Sequence, residues 1–483
     1  MKLSQLLASL PGVKLVRGSD AEVLSITDDS RHALPGSLFI ARTGSQVDGG
    51  AFVDAAMEKG AVAAVEACAV DAALLAQAFH GHPAGALRMV GITGTNGKTT
   101  TAFLVQHILS NSGLKAGLLG TVLTDDGARR EPAHLTTPGA CELAAVLARM
   151  VSNGCSAAAM EVSSHALDQS RVSGVNFEVA IFTNLTGDHL DYHRSMEAYA
   201  AAKASLFDGL RPGACAVLNV DDESASRMVA TSPARVLRCT ALDNAADCRV
   251  RVTRTSVSAM VVELTGPWGA LTVALPFVGR HNAMNALQAA AAAWSLGVSG
   301  RDIERALAMA KAPPGRLEPV TTPDAPFAVL VDYAHTDDAL LNVLSALRPA
   351  VQGGRLITVF GCGGDRDRTK RPRMMCTAAE HSDIVIVTSD NPRTEDPAAI
   401  LAEVLAGRPP GTRAQVESEV DRTKAIARAV GMAREGDIVL IAGKGHEDYQ
   451  IIGREQRPFD DRIEAREALS RLAEGTMLQG VSP

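Results

Sequence analysis

The chain has 483 residues, 46% hydrophobic and 21% charged, which is the composition of a globular protein with about three domains. Asp and Glu exceed Lys and Arg by 54 − 47 = 7, which argues against a large nucleic-acid-binding surface. The aromatic content of 4% argues against aromatic surfaces on which bases stack. The sequence contains no run of about 18 uncharged apolar residues, so no membrane span is expected.

The expected compartment is the cytoplasm. The first residues, MKLSQLLASLPGV, do not have the long apolar region and small-residue cleavage site of a signal peptide. The eight cysteines form no Cys-x-x-Cys pair, so we expect free, buried thiols in a reducing environment.

The first predicted domain covers residues 1–88 and mixes short strands with alanine-rich helices. Its strand-like segments are Ser37–Ala41 and Ala61–Val65, and the Gly/Pro segment GHPAG marks its end. The second predicted domain, 89–314, begins with the apolar strand LRMVGI, the loop GTNGKTT and a helix that stops at Gly113. This order of strand, glycine loop and helix is typical of a nucleotide-binding α/β domain.

The rest of the second domain continues as strands and one long helix. Further strands are predicted at Ala157–Val162, Val179–Thr183 and Ala216–Asn219, antiparallel strands across about 249–278, and a helix at Asn282–Leu296. The segment KAPPGRLEP is a second break, after which the third predicted domain, 315–483, begins.

The third predicted domain alternates strands with helices, and each strand ends in a loop rich in Asp, Gly, Arg or His. The strands are Ala328–Asp332, Leu356–Phe360, Ile384–Thr388 and Ile438–Ile441. Ligands bind outside the carboxyl ends of parallel strands, so these loops predict a second α/β domain that faces a shared cleft.

The loop GTNGKTT has the composition of a phosphate-binding loop. Glycines let backbone N–H groups approach phosphate oxygens, a lysine can reach the β/γ-phosphates, and a threonine hydroxyl can bind Mg²⁺. Ile92 stands where the general pattern has its first glycine, but the ending GKTT after a strand argues against a simple turn. The absence of a guanine-binding signature favours adenine. The residues are Gly94, Thr95, Asn96, Gly97, Lys98, Thr99 and Thr100.

Three other segments allow two interpretations from local sequence alone. Glu161 follows an apolar strand and is either a Mg²⁺ ligand or an ordinary strand-end acid. The segment TNLTGDHLDYH carries Asp188, His189, Asp191 and His193 and is either a metal cluster or a polar helix start; without a nearby cysteine, Mg²⁺ is the simpler hypothesis than zinc. Lys203 lies in a predicted helix, and its neighbours favour a solvated helix lysine.

Taken together, the motifs resemble those of the Mur ligases, and most closely the family's diaminopimelate-adding (MurE-type) members. In order they are TGTNGKTT, MEVSSHAL, NLTGDHLDYH, AAKASLF, GRHNAMNAL, PGRLE, VDYAHTDDAL, GCGGDRDRTKRP, SDNPRTEDP and AGKGHEDYQ, which span about Asp29 to Glu447. The resemblance implies three α/β domains: a small UDP-binding domain, a central P-loop ATPase-like domain and a C-terminal Rossmann-like domain.

The activity that the resemblance implies is ATP-dependent amide formation in peptidoglycan precursor synthesis. Meso-diaminopimelate would be added to the D-glutamate of UDP-N-acetylmuramoyl-L-alanyl-D-glutamate through an acyl phosphate, with ATP and Mg²⁺ as cofactors. We expect a monomer whose partners are these small molecules.

The resemblance also assigns site residues. For the UDP-sugar and the peptide it implies Ser30, Ser45, Gln46, Val47, Thr136, Thr137, Ser163, Gln169 and Arg171, although the family often has His at the position of Ser45. For ATP it adds Asn282, Asn285, Arg316 and Asp332 to the phosphate loop. For catalysis and Mg²⁺ it implies Lys98, Thr99, Glu161, His189 and Lys203, with Lys203 carbamylated. Asp337 stands where the family commonly has Pro, and we expect it to cap the following helix.

The amino-acid pocket implied by the resemblance contains Arg366, Asp390, Asn391, Pro392, Arg393, Gly443 and Glu447. Diaminopimelate has a distal carboxylate that lysine lacks, and Arg393 could hold it through two parallel hydrogen bonds. Glu447 could accept the distal ammonium. DNPR is also a typical turn sequence, and such a turn would present Arg393.

Two other functions remain open from the sequence. One is a lysine-adding or folylpolyglutamate-type ligase of the same superfamily, which ADP release with different amino acids would distinguish. The other is a nucleotide-dependent binding module or switch, which would bind ATP without amino-acid-dependent turnover. The joint presence of Glu161, Lys203 and DNPR favours the ligase.

Overall fold

The structure is a computed structural model that describes residues 1–8, 10–43, 48–242, 245–256, 259–322, 325–351 and 353–479. The chain forms two compact units. The first contains Met1–Arg249, Gly266–Gly269 and Asn285–Ala306, and the second contains Val250–Thr265, Ala270–Met284 and Leu307–Pro483. Among the described helices, none is long and apolar enough to cross a bilayer.

The first unit begins with a four-stranded sheet in the order β1-β4-β3-β2, in which β1 is antiparallel to β4 and the other pairs are parallel. Leu38, Ile40 and Val65 pack in its core with Leu75 of the third helix. The elements are α1 (Leu3–Leu7), β1 (Lys14–Gly18), β2 (Ser25–Thr27), β3 (Ser37–Arg42), α2 (Val53–Glu58), β4 (Ala63–Ala67) and α3 (Ala69–Phe79), with 3₁₀ helices at Ser30–His32, Gly49–Phe52 and Pro83–Ala86. The two predicted strands are confirmed with shifted ends.

A second, larger sheet follows in the same unit. This sheet has eleven strands. The first eight in chain order are β5 (Arg88–Thr93), β6 (Ala116–Leu119), β7 (Leu123–Asp125), β8 (Arg130–Pro132), β9 (Ala157–Glu161), β10 (Phe177–Phe182), β11 (Cys215–Asn219) and β12 (Arg235–Thr240). The helices are α4 (Lys98–Asn111), α5 (Ala140–Ser152), α6 (Ser164–Asp168), α7 (Leu190–His193), α8 (Met196–Asp208) and α9 (Ala225–Met228).

The order of this sheet decides where its ligand site lies. β5 lies between β9 and β10, and all three strands are parallel. The carboxyl ends of three adjacent strands therefore meet at one edge, where Thr93, Glu161 and Phe182 are the last strand residues. Gly91 belongs to the packing of the strand and not to the loop, since a Cβ there would lie 2.8 Å from the Phe177 ring.

The chain then forms the alternating strands that the sequence predicts, and a long helix. β13 (Cys248–Thr255), β14 (Met260–Gly266) and β15 (Gly269–Leu275) are consecutive neighbours, and they are followed by α10 (Arg280–Ser295) and α11 (Gly300–Ala308). Along β15 buried and exposed residues alternate, which confirms the period of two.

The second unit contains a six-stranded sheet in the order β16-β17-β21-β18-β19-β20, parallel except for β16. The strands are β16 (Glu318–Pro319), β17 (Ala328–Asp332), β18 (Leu356–Cys362), β19 (Ile384–Ser389), β20 (Gln415–Glu419) and β21 (Ile438–Ala442). The helices are α12 (Asp337–Leu347), α13 (Lys370–His381), α14 (Pro397–Leu405), α15 (Arg422–Met432) and α16 (Asp461–Gln479), with a 3₁₀ helix at Arg348–Ala350. A separate hairpin consists of β22 (Tyr449–Ile452) and β23 (Glu455–Pro458).

Helices cover both faces of the second unit's sheet. Residues of α12, α13 and α14 pack with Phe360 and Leu440 on one face, and residues of α15 and α16 pack with Val359 and Val439 on the other. This is the doubly wound α/β arrangement in which strands buried on both sides are continuously apolar. The predicted Rossmann-like fold and its four strands are confirmed.

Two local predictions are wrong. The N-cap of α12 is Thr336, whose hydroxyl accepts from the Ala339 N–H, and Asp337 is the first helical residue and pairs with Arg373. All eight cysteines are free, but Cys68 is exposed and Cys376 is half-buried. Both lie in or beside surface helices, where one helix face meets solvent.

Candidate functional site

The phosphate loop connects β5 to α4, and its two glycines leave no room for side chains. A Cβ on Gly94, which has φ +146°, would lie 1.9 Å from Thr183 Oγ1. A Cβ on Gly97, with φ +85°, would lie 2.6 Å from Asn285 Oδ1. The loop therefore presents bare backbone at the N-terminus of a 14-residue helix, which is the arrangement that binds phosphate.

Residues after β10 hold this loop in position. Thr183 Oγ1 donates to the Asn96 carbonyl over 2.6 Å, and Asn184 Oδ1 accepts from the Asn96 N–H over 2.9 Å. The Asn184 carbonyl accepts from the Thr95 N–H over 2.8 Å. Sequence analysis did not identify Asn184; its signal was the polar pair that ends an apolar strand.

Two lysines converge on the same loop. Lys98 Nζ donates to the carbonyl oxygens of Gly94 and Thr95, over 3.0 and 2.7 Å. Lys203 Nζ donates to the Gly94 carbonyl over 2.8 Å, from a helix about 100 residues later in the sequence. Two amines thus lie where the negative charge of a nucleotide would enter.

Glu161 is completely buried at the end of β9, and neutral donors surround its carboxylate. Thr99 Oγ1 donates to Oε2 over 3.0 Å, Thr121 Oγ1 donates to Oε2 over 3.1 Å, and the Thr121 N–H donates to Oε1 over 2.8 Å. A buried carboxylate is costly without such partners. The structure therefore brings together Thr99 and Glu161, two hard oxygen donors of the kind that Mg²⁺ prefers.

Lys203 is not the solvated helix lysine that its local sequence favoured, because its side chain is only 1% exposed. Its Nζ lies 4.3 Å from the centre of the Tyr199 ring. Burial, together with the charge of Lys98, holds the pKa of the Lys203 amine well below its ordinary value. The lowered pKa favours the neutral, nucleophilic form of this amine beside the phosphate loop.

His189 adopts a left-handed backbone, φ +56°, immediately before α7, and its ring packs with those of His165 and Tyr199. Burial lowers the pKa of His189 to about 4, so its imidazole is neutral at pH 7. The His193 ring forms a hydrogen bond with the Ser164 hydroxyl. In the described part of the chain, no three His, Cys, Asp or Glu side chains are grouped to hold a metal.

A cleft of about 870 Å³ lies in the first unit, between the small sheet and the start of α5. Ser30 and Arg171, two of the predicted substrate contacts, line it together with Arg42 and Cys141. The other predicted contacts there, Ser45, Gln46 and Val47, lie outside the described residues.

The remaining predicted substrate contacts of the first unit form one hydrogen-bonded group. Arg171 donates to the Gln169 side chain and to the Thr137 carbonyl. Thr137 Oγ1 in turn accepts from the Ser163 N–H and donates to the Glu161 carbonyl, over 3.0 and 2.8 Å. Thr136 pairs with Thr121 over 3.0 Å. These contacts link the cleft to the buried carboxylate.

Two of the predicted nucleotide contacts, Arg316 and Asp332, lie at the end of β17. Asp332 is buried and accepts from the backbone N–H groups of Leu317 and Ala334, and burial raises the pKa of its carboxyl. The Arg316 guanidinium lies 4.6 Å from the centre of the Tyr333 ring. Asn282, whose amide donates to the Val278 carbonyl, precedes Asn285 by almost one turn of α10.

The loop after β19 presents Arg393 in a left-handed conformation, φ +50°, which is uncommon outside glycine. The β22–β23 hairpin holds it there: the Arg393 N–H donates to the Ile451 carbonyl, and the Arg393 carbonyl accepts from the Gly453 N–H. Arg393 Nη1 donates to the Gly364 carbonyl over 2.8 Å. Arg366, which is exposed, lies on the neighbouring loop after β18.

Asp390, Asn391 and Glu447 lie close together, because β19 and β21 end at the same edge of the sheet. Asn391 Nδ2 donates to Glu447 Oε2 over 3.0 Å. Gly443, φ +117°, is the first residue after β21. Pro392 lies so close to the loop after β18 that a Cβ on Gly364 would be 1.9 Å from the Pro392 carbonyl oxygen. The structure therefore brings Asp390, Asn391 and Glu447 together, while Arg393 contacts the loop after β18.

Family models match most of the chain. The matches are "Mur ligase family, catalytic domain" at residues 22–95, "Mur ligase middle domain" at 92–293 and "Mur ligase, glutamate ligase domain" at 315–445. Similar proteins include the UDP-N-acetylmuramoyl-L-alanyl-D-glutamate–2,6-diaminopimelate ligases of Synechococcus elongatus, 47% identical over 97% of this chain and 99% of that protein, and Geobacillus thermodenitrificans, 42% identical over 97% and 99%.

Solved structures give the same comparison. A solved structure of a UDP-N-acetylmuramoyl-L-alanyl-D-glutamate–2,6-diaminopimelate ligase matches with a TM-score of 0.68 and 33% identity, over 98% of this chain and 99% of that one. The MurF ligase of Thermotoga maritima in complex with ADP has a TM-score of 0.65 at 19% identity, over 95% and 100%. At that identity the second similarity concerns the fold alone.

Proposed function

The chain belongs to the Mur ligase family, and we propose that it uses ATP to join meso-diaminopimelate to the D-glutamate of UDP-N-acetylmuramoyl-L-alanyl-D-glutamate. The proposal of diaminopimelate as the amino acid rests on one observation. The DNPR loop, which presents Arg393, lies next to Glu447. Diaminopimelate ends in a carboxylate and an ammonium on one carbon, and these two side chains have the opposite charges.

The chemistry follows from the poor reactivity of a carboxylate toward an amine. A carboxylate oxygen of the D-glutamate attacks the γ-phosphorus of ATP, the bond from that phosphorus to the β-phosphate bridge breaks, and an acyl phosphate and ADP result. The amine then attacks the acyl carbon, loses a proton and expels phosphate. Such transfers need positioning and charge neutralisation more than a protein nucleophile.

The residues of the phosphate loop supply that neutralisation. The bare backbone of Gly94 and Gly97 leaves N–H groups at the start of α4 to bind phosphate oxygens, and Lys98 adds a full positive charge. Asn282 and Asn285 would hold the adenine, and Arg316 and Asp332 the phosphate and ribose.

Magnesium fits the residues present. Thr99 and Glu161 offer a hydroxyl and a carboxylate that already meet over 3.0 Å, and His189 is neutral. When bound there, Mg²⁺ would neutralise charge on the transferred phosphoryl group. The buried Lys203 amine has the depressed pKa that addition to CO₂ requires, and we propose that it is carbamylated: the new N–C bond releases one proton and creates a carboxylate beside the loop.

The remaining assignments are part of the same proposal. The UDP-sugar would occupy the cleft lined by Ser30 and Arg171. We also assign Ser45, Gln46 and Val47 to this ligand, on the resemblance alone. Thr136, Thr137, Ser163 and Gln169 would contact the peptide, and Arg366, Asp390, Asn391, Pro392, Arg393, Gly443 and Glu447 the amino acid. We propose domains at 1–88, 89–314 and 315–483 and a monomer that works in the cytoplasm.

The deciding experiment measures phosphate release with ATP, Mg²⁺ and the UDP-muramoyl dipeptide against a panel of amino acids. We expect turnover with meso-diaminopimelate and at least about tenfold less with L-lysine, because one charged hydrogen-bonding partner would then be left unpaired. Preference for lysine or glutamate would contradict the proposal, and ATP binding without amino-acid-dependent turnover would indicate the switch.

A further inference from the structure

The loop after β21 contains a buried lysine that the proposed mechanism does not use. Lys444 lies between Gly443, φ +117°, and Gly445, φ +56°. A Cβ on Gly445 would lie 2.7 Å from Tyr333 Cβ, so the backbone passes close to the preceding strand end. The two left-handed glycines turn the chain so that the Lys444 side chain points inward, where it is 0% exposed.

The partners of this ammonium come from both loops of the proposed amino-acid site. Lys444 Nζ donates to Asn391 Oδ1 over 3.2 Å and to Glu447 Oε2 over 3.0 Å. Asp390 Oδ1 lies 3.6 Å away. Burying an ammonium costs several kcal/mol unless it is paired, so these contacts are what allow Lys444 to remain in the interior.

The hydrogen bonds to Glu447 go to one of its two carboxylate oxygens, which bears on substrate binding. Lys444 and the Asn391 amide both donate to Oε2 of Glu447. Because both donors bind Oε2, the Glu447 carboxylate is held in one orientation, and Oε1 is the oxygen that can accept a hydrogen bond from a bound amine. Asn391 Oδ1 also accepts from the Ile451 N–H, 2.9 Å away, in the hairpin that holds Arg393.

We propose that Lys444 is a positioning residue that sets amino-acid specificity by orienting Glu447 and tying it to the loop that carries Arg393. The inference rests on the proposed function, since Glu447 is assigned there to the distal ammonium. Lys444 itself need not touch the substrate, because its charge acts through the Glu447 carboxylate.

The test is a double-mutant cycle on the full chain with Lys444→Met, Glu447→Gln and the double variant. Lys444→Met should raise KM for meso-diaminopimelate about 10- to 100-fold, the cost of a lost hydrogen bond to a charged group. KM for ATP should stay within about twofold. In the Glu447→Gln background the same change should cost less than about threefold, because coupled residues are not additive.

Controls separate positioning from folding. Lys424→Met, at a lysine exposed on α15, should leave every KM unchanged. Lys444→Arg, which keeps the charge, should recover part of the lost affinity. If Lys444→Met does not fold, Lys444→Gln serves in the same cycle, since it keeps an N–H donor.

Equal increases in KM for ATP and diaminopimelate, or additive effects in the cycle, would overturn the positioning role while leaving the proposed function intact. A wild-type chain that uses another amino acid and not diaminopimelate would refute the proposed function instead. The Lys444 role is then decided by the same cycle with the amino acid that is used.

Discussion

Lys203 Nζ donates a hydrogen bond to the carbonyl oxygen of Gly94, 2.8 Å away, so a helix lysine is anchored on the first residue of the phosphate loop. The contact requires that α8 pack beneath the carboxyl end of β5. This packing buries Lys203 and places its amine beside Lys98 and the proposed nucleotide.

The Lys203 proposal predicts a loss that small carboxylates can repair. Lys203→Ala should lower kcat by about 10²- to 10³-fold, the usual cost of one lost electrostatic group, with partial recovery on adding formate or acetate. Lys14→Ala, at an exposed lysine on β1, is the matched control. A crystal structure showing a bare Lys203 amine, together with no rescue, would contradict carbamylation.

Glu161→Gln tests the oxygen site at the end of β9. The amide is nearly isosteric but has no charge, so we expect kcat to fall about 10²- to 10³-fold and the Mg²⁺ concentration for half-maximal rate to rise. The Mg²⁺-dependent increase in ADP affinity, measured by titration calorimetry, should also disappear. Glu131→Gln, at an exposed acid on β8, should change neither quantity; an unchanged Mg²⁺ dependence in Glu161→Gln would exclude Glu161 as a ligand.

Arg393→Ala addresses the distal carboxylate. Since the guanidinium would hold that group through two charge-assisted bonds, KM for meso-diaminopimelate should rise about 100-fold while KM for ATP stays constant. Arg393→Lys should recover little, because an ammonium cannot form the planar pair. Arg457→Ala, at the exposed arginine on β23, is the control. Equal changes in both KM values would remove Arg393 from the pocket.

The loop before α14 should make stability depend on acid pH. Hydrogen bonds from Arg371, and one from the Asp365 N–H, lower the pKa of Glu395 to about 2 from its ordinary 4.5. A lowered pKa means that the carboxylate stabilises the fold above about pH 4.5 and that this contribution is lost as the pH falls toward 2. The difference in unfolding midpoint between wild type and Glu395→Gln should shrink over that range. A difference that stays constant between pH 4.5 and 2 would refute the linkage.

Much of the fold could be predicted because its signals are local. The apolar runs that became β5, β9, β17 and β19 are short and bounded by glycine or acidic residues, and each lies within two residues of its predicted position. The cap of α12 was misassigned because Thr336 and Asp337 are adjacent and both suit an N-cap. Only the backbone conformation, extended at Thr336, distinguishes them.

Tertiary contacts decided the parts of the site that no local pattern contained. Lys203 and Lys444 are both buried, though their neighbouring residues are those of an ordinary helix and an ordinary turn. Asn184 supports the phosphate loop from the segment after β10; it is 88 residues from Asn96 in sequence, but β10 is the neighbour of β5 in the sheet. Each depends on which strand ends are neighbours, and strand order is a property of the whole sheet.

The chemical groups of the protein and the order of its strands and helices can be predicted from the sequence, because they depend on residue identity and short-range periodicity. It also carried the motif order that identifies the family. Which of those groups lie close together and which amines are buried depends on the tertiary structure, and so does the proposed role of Oε1 of Glu447. Burial and hydrogen-bond geometry arise from long-range packing. That packing places a glutamate, a lysine and an arginine close enough together to form the proposed site.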